Sequence, residues 1–211
     1  MKPQAPMIFL VDDEATILNM VGRRLRAAGF EVLEFAAPSE FLAKYQPAMP
    51  GCLVLDMEMG ALTGLDVQEQ LAAVGSELPI IFYSARADVP MCVQAMKGGA
   101  VDFLTKSAHH EDLVKAIDKA LEYDRKARQE RLELDDIRRR IASLTPRERA
   151  VLDHVVTGKL NKQIAGELGT AEKTVKVHRG RVMAKMGVVS VAALMRLMAR
   201  CGGSFPTVHE E

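Results

Sequence analysis

The chain is poor in the residues that staple or anchor a protein. It has three cysteines, Cys52, Cys92 and Cys201, an odd number with no C-x-x-C spacing. That excludes a disulfide framework and a cysteine-built zinc site, and leaves Cys52 and Cys92 as small buried apolar groups in a reducing compartment. No apolar run reaches 18 residues and no signal peptide is present, so a soluble, cytoplasmic protein with no membrane partner is expected. Net charge is missing too: 28 basic residues balance 28 acidic ones. A neutral total argues against nucleic acid only until the chain is divided. Residues 1–123 carry 17 acids against 10 bases, 124–140 carry 5 against 7, and 141–211 carry 6 against 11. An acidic half joined to a basic half fits a regulatory domain attached to a nucleic-acid binder, and 211 residues are enough for two domains.

What is present centres on Gly51-Cys52-Leu53-Val54-Leu55-Asp56, an apolar run ending in a carboxylate, with Gly60 and Gly64 close behind. Met7-Ile8-Phe9-Leu10-Val11 runs into Asp12-Asp13-Glu14 in the same way. Ligands of open parallel sheets sit beyond the carboxyl ends of the strands. If these two strands are neighbours, their acids converge. Such a cluster is costly unless a cation sits in it, and oxygen-only ligation suits Mg²⁺. Further strands are expected over 32–35, 79–84 and 101–104, with helices over 15–28, from Pro38, over 65–74 and 89–97, and from about Glu111. Five strands alternating with five helices over roughly 120 residues predict a flavodoxin-like, doubly wound α/β sandwich with a parallel sheet.

From Glu111 to Ile141 the chain has neither proline nor glycine. Val114, Ile117 and Leu121 continue a packed face, whereas 122–131 lose it and read as a solvated helix held by charge pairs. Leu134, Ile137, Ile141 and Leu144 restore helical spacing, so one long connecting helix is expected, its end joining a coiled coil or packing on the next domain. Thr145-Pro146-Arg147-Glu148 is a capping box with proline at the first helical position. Short helices from Asn161 and over 172–186, the latter rich in Lys and Arg, predict an all-α helix-turn-helix domain closed by a fourth helix after Ser190.

The first half resembles the receiver domain of two-component response regulators. Asp12-Asp13, Asp56, Ser84-Ala85 and Lys106 stand at matching strand ends, and 87–106 is especially similar to the FixJ-type subfamily. The resemblance implies that Asp56 is the phosphoacceptor, served by a sensor histidine kinase. Asp13, Asp56 and the backbone carbonyl of Glu58 hold Mg²⁺, with Asp12 acting through water. Lys106 pairs with a phosphoryl oxygen, and Ser84 and Phe103 form the switch. Relatives usually carry proline where this chain has Gly60 and, in a cis bond, where it has Ser107. A cis bond to Ser107 costs several kcal/mol more than one to proline, so the loop is either trans and displaced or cis and strained. Glu58 and Arg86 flank the site, and a pair between them is expected to slow loss of phosphate.

The second half is similar to the LuxR/NarL-type DNA-binding domain through Leu144-Thr145-Pro146-Arg147-Glu148, Asn161-Lys162-Gln163-Ile164-Ala165 and Thr174-Val175-Lys176-Val177-His178. With Val175, Val182 and Met186 inward, Lys173, Lys176, Val177 and Gly180 face out, and an outward valine between lysines suits a thymine methyl. Lys176 and Val177 are the base-reading candidates. Lys173 and Thr174 join them on the DNA side, and Arg179 and Arg181 reach bases or backbone. Asn161, Lys162 and Lys185 touch phosphate. Ala171 stands where relatives place a capping serine, a task left to Thr170, and His178 has no partner set for a metal. The implied organisation is a receiver at 1–123, a helical linker at 124–142, a DNA-binding domain at 143–200 and a loose tail at 201–211. Activation makes a homodimer on double-stranded DNA. Two rivals remain: a regulator that binds DNA without phosphorylation, and a phosphoaspartate phosphatase resembling haloacid-dehalogenase-like hydrolases. The latter wants Asp where Glu58 stands, and a cap domain.

Overall fold

A computed structural model describes residues 5–60, 62–86 and 88–201. It divides into two units, Met1–Arg128 and Gln129–Glu211.

The first unit begins with β1 (Met7–Val11), α1 (Ala15–Ala27), β2 (Glu31–Phe35), α2 (Pro38–Lys44) and β3 (Gly51–Leu55). A two-residue-armed hairpin follows, β4 (Glu58–Met59) and β5 (Leu62–Thr63). Then come α3 (Gly64–Ala73), β6 (Ile80–Ser84), α4 (Val89–Lys97), β7 (Asp102–Thr105) and the first part of α5 (His110–Ala142). The five long strands form one parallel sheet in the order β2-β1-β3-β6-β7. This is the expected flavodoxin-like order. β3 and β6 are buried along their whole length because helices cover both faces of the sheet. Alternation sends Phe9, Val11, Leu53, Leu55 and Phe82 into a core with Phe41, Val67 and Leu71. Ile8, Leu10, Cys52, Val54 and Ile81 enter the opposite core with Val21, Leu25, Leu113 and Ile117. Cys52 is buried there as expected, and burial pushes its thiol pKa up; Cys92 is only half-buried.

The hairpin was not anticipated. Gly60 turns it with φ +68°, a conformation closed to proline, whose ring holds φ near −65°. Relatives' proline at this position therefore cannot take this turn. The connector also differs from expectation. Asp124, placed in a solvated stretch by its sequence context, is buried. Its carboxylate accepts from the Gly51 N–H at 3.0 Å and from Arg128 Nε at 2.8 Å. The Arg128 guanidinium in turn donates to the carbonyls of Pro47, Ala48 and Met49. A charge pair does hold this turn, but it caps the entry to β3 rather than facing solvent.

In the second unit the remainder of α5 packs with α6 (Pro146–Val156), α7 (Asn161–Glu167), α8 (Glu172–Met186) and α9 (Val191–Arg200). Ile137 is buried with Val151, Leu152, Val155, Ile164, Val175, Val182, Met186 and Leu194, while Ile141, Leu144 and Cys201 pack against this core. The apolar end of α5 thus completes its own domain. Cys201 is not loose, and the rest of the expected tail, 202–211, lies outside the described residues. Among the described residues no single helix is long and apolar enough to cross a membrane.

Candidate functional site

Parallel pairing of β1 with β3 sets Val11 opposite Leu55, so the residues that follow, Asp12 and Asp56, leave the sheet side by side. Oxygens of Asp12, Asp13 and Asp56 lie within 4.8 Å of one another. Asp12 and Asp56 are 1% and 5% exposed, and Asp13 is exposed. The start of α3 lies tight against the end of β3 because Gly64 has no side chain: a Cβ there would stand 2.5 Å from the Asp56 carbonyl oxygen and 2.8 Å from the Phe82 ring.

Lys106 answers this charge. Its ammonium is 2.8 Å from Asp12 Oδ2, 2.9 Å from Asp56 Oδ2 and 3.0 Å from Glu14 Oε1. The other oxygens of the two buried acids accept backbone N–H groups, Asp12 from Glu14 at 2.9 Å and Asp56 from Met57 at 2.6 Å. Burial pushes the Asp12 carboxyl pKa up against the opposing pull of Lys106. Burial alone would lower the Lys106 ammonium, but its bonds to Asp12, Asp56 and Glu14 together raise it, so it stays protonated at neutral pH.

The described residues contain no cis peptide bond, so Ser107 follows Lys106 in trans. Of the two expected alternatives the loop takes the trans one, and Lys106 still reaches Asp12 and Asp56. The Lys106 N–H donates to the Ser84 carbonyl at 2.7 Å, the Tyr83 hydroxyl donates to the Lys106 carbonyl at 3.3 Å, and the Thr105 and Ser107 hydroxyls pair at 2.9 Å. Ser84 is buried at the end of β6, its oxygen accepting from the Arg86 N–H at 3.4 Å. Phe103, half-buried, stacks on Phe82 at 5.9 Å between ring centres. The expected pair between Glu58 and Arg86 is not made among the described residues. Both side chains are exposed, where two long charged groups gain little from being held together. Glu14 and Tyr83 were not anticipated. The signal for Glu14 was its place directly after Asp12-Asp13; nothing local distinguished Tyr83 from a core residue.

In the second unit, the Thr145 box forms as expected. The Thr145 N–H donates to Glu148 Oε2 at 2.9 Å, and the Glu148 N–H donates to Thr145 Oγ1 at 3.3 Å. Glu148 is 3% exposed and pairs with Lys185 at 2.6 Å. That interaction and the bond to Thr145 bring its carboxyl down to about 2. Lys185, expected on phosphate, also donates to the Ser143 carbonyl at 2.9 Å, so in this structure the exposed ammonium is engaged within the domain. Arg179 likewise donates to Asn161 Oδ1 at 2.9 Å, joining α8 to α7. Lys162, Lys173, Thr174, Lys176, Val177, Gly180 and Arg181 are exposed. α8 starts without a side-chain cap at Ala171, and Thr170 does not supply one.

A doubly wound sheet whose strand ends gather three carboxylates around one lysine defines a receiver-type domain, and the second, helical unit is of the helix-turn-helix type. Residues 8–118 match the response regulator receiver domain, and 142–198 match the bacterial regulatory proteins of the luxR family. Nodulation protein W of Bradyrhizobium diazoefficiens is 42% identical over 196 residues, 93% of this chain and 86% of that one. A solved structure of the response regulator StyR superposes with a TM-score of 0.86 at 44% identity, covering 93% of this chain and 100% of that one. Full-length FixJ from B. japonicum gives 0.58 at 36% identity, covering 95% and 98%. The chain belongs to the two-component response regulators that join a receiver domain to a luxR-type DNA-binding domain, a family of transcriptional regulators.

Proposed function

We propose that Asp56 takes a phosphoryl group from a phosphohistidine of a sensor kinase, and that this controls binding to double-stranded DNA as a homodimer in the cytoplasm. The observation that carries the reading is the buried Asp56 carboxylate, 2.9 Å from the Lys106 ammonium and within ligand distance of Asp12 and Asp13. A carboxylate is a modest nucleophile, so rate must come from position and charge neutralisation. An Asp56 oxygen attacks phosphorus. The P–O bond forms as the P–N bond breaks, and the electron pair returns to the kinase imidazole, which leaves neutral because its other ring nitrogen carries a proton. Lys106 turns from the acids toward a phosphoryl oxygen as a mobile point charge. Ser84, whose oxygen only accepts here, has its proton available for a second phosphoryl oxygen, and Phe103 repacks behind it.

Three carboxylate oxygens in one small cluster, with no nitrogen or sulfur donor among them, fit a hard divalent ion. Asp13, Asp56 and the Glu58 carbonyl would hold Mg²⁺, with Asp12 through water; when bound it offsets the negative charge that phosphorylation adds. The receiver occupies 1–123, the connecting helix 124–142 and the DNA-binding domain 143–200. On α8, Lys176 and Val177 read bases, and Lys173, Thr174, Arg179 and Arg181 support them, with Lys162 and Asn161 on the backbone. The test is intact mass and light-scattering mass with acetyl phosphate and Mg²⁺, beside Asp56→Asn. One added phosphoryl group, absent from the variant and accompanied by dimerisation, is expected. No phosphoryl group with undiminished DNA binding would replace this reading with phosphorylation-independent regulation.

A further inference from the structure

His178 has no partner set for a metal and stands outside the base-reading and phosphate-contacting residues of α8. Yet its Nδ1 is the one buried side-chain nitrogen or oxygen among the described residues with no hydrogen-bond partner. Buried polar atoms are almost always satisfied, and an exception calls for a ligand or a functional reason. His178 lines a cavity of about 140 Å³ with Arg147, Leu168, Gly169, Thr170 and Thr174. Roughly 10–15 Å³ of such space already admits one water, so a cluster of oxygens fits. The polar side chains around it are a guanidinium, two hydroxyls and an imidazole, and no carboxylate lines it. Arg147 is exposed and makes no ion pair among the described residues. Thr174 lies one helical turn before His178, hence on the same flank of α8, and it is next to the exposed Lys173.

We propose that His178 is a positioning residue for DNA: with Arg147, Thr170 and Thr174 it forms a seat for one backbone phosphate at the edge of the α8 reading face. The inference rests on the DNA-binding reading above. Phosphate oxygens are acceptors only, and hydroxyl, guanidinium and imidazole N–H donors are the groups that hold them in protein–DNA contacts. Nδ1 is closed to solvent in the free protein, so donation requires the ring to turn toward the cavity as DNA arrives, with the proton on Nδ1 and Nε2 as the acceptor. The seat would fix the angle at which α8 enters the groove without reading sequence.

Non-specific binding is governed by phosphate contacts, so a mixed-sequence DNA duplex and the full-length protein suffice. His178→Phe keeps a flat ring and removes the donor. It should melt no lower than the native protein and bind the duplex about tenfold more weakly, the loss of one hydrogen bond to a charged group. His178→Asn places an amide N–H near the position of Nδ1 and should restore most of that affinity, which a purely packing role would not produce. Arg147→Ala should make the salt dependence of log K shallower by about one ion. If His178→Phe fails to fold, Thr174→Val decides, because its exposed site tolerates the change and a lost phosphate hydroxyl still weakens binding. Native-like affinity and salt dependence in His178→Phe, or in Thr174→Val where it is the arbiter, would overturn the seat and leave a water-filled notch. Failure of the native protein to bind the duplex at any salt would overturn the DNA reading itself, and the seat with it.

Discussion

The two halves of the molecule handle charge in opposite ways. In the receiver, acids are gathered until they repel and are held by a single interior cation: Lys106 meets Asp12, Asp56 and Glu14 within 3.0 Å. In the helix-turn-helix domain, cations are sorted. Lys185 and Arg200 are matched internally by Glu148 and Glu133, and Arg140 and Arg179 by the Met186 carbonyl and Asn161. Lys162, Lys173, Lys176 and Arg181 face solvent. A site that must receive a small, highly charged group benefits from preorganised opposing charges whose balance the group itself alters. A surface that must meet a polyanion needs cations partnered only by mobile ions, because their release drives binding. Whether a cation is paired with a carboxylate therefore separates framework from function in the second domain, where Arg179, held only by the neutral Asn161, keeps its charge for DNA. In the first the partnered charges are the function.

The comparison breaks most sharply at Lys106. Lys106→Met leaves Asp12 and Asp56 buried without their counter-charge, a loss of about 3 kcal/mol by the rule for a broken buried pair. Calorimetry should show the receiver transition falling while the DNA-binding unit melts unchanged. Mg²⁺ should raise the receiver transition of the variant more than that of the native protein, since the ion then has no ammonium to displace. If neither responds to Mg²⁺, the acidic cluster is not a metal site.

Next in size is Asp124, where the receiver uses a matched charge purely as framework. Asp124→Asn keeps an acceptor for the Gly51 N–H but weakens the link to Arg128 and its three carbonyl bonds. The expected cost is about 1–2 kcal/mol, visible as a lower receiver transition with phosphorylation at Asp56 intact. A variant as stable as the native protein would return this turn of α5 to the solvated role its sequence suggests.

That residue marks where sequence reading stops. The fold class and the clustering of Asp12, Asp13 and Asp56 were legible because continuous apolar runs ending in acid, alternating with helical segments, allow few arrangements. Asp124 was not, because burial of a charge depends on a partner 73 positions away, and a local window sees only a polar helix turn. The trans Lys106–Ser107 bond was undecided for a related reason. Whether the loop keeps Lys106 in place depends on Ser84 and Tyr83, which hold its backbone from the neighbouring strand. On α8 the outward face followed from the burial of Val175, Val182 and Met186, but which lysines remain available did not, since Glu148 reaches Lys185 across 37 positions.

The Glu148–Lys185 pair predicts a pH dependence confined to the second domain. Its carboxyl pKa is depressed to about 2 from an ordinary 4.5, so the folded state favours the charged form. The stabilisation is fully present above about 4.5 and is lost as pH falls toward 2. Glu148→Gln should flatten this part of the stability profile and lower the melting temperature at neutral pH. An unchanged acid limb in the variant would assign the acid sensitivity to other carboxylates.

The smallest effect is the most discriminating, because the comparison predicts that two lysines 9 positions apart on one helix behave differently. Lys176→Ala removes an exposed cation of the reading face. It should weaken duplex binding, reduce the salt slope by about one ion and leave stability within ~0.5 kcal/mol. Lys185→Ala should do the reverse. It unpairs the buried Glu148, so melting falls, while the salt slope stays at the native value because that ammonium is already engaged by Glu148 and the Ser143 carbonyl. Equal salt slopes in the two variants would mean that Lys185 leaves Glu148 when DNA arrives, and that internal pairing in the free protein does not mark a cation as framework.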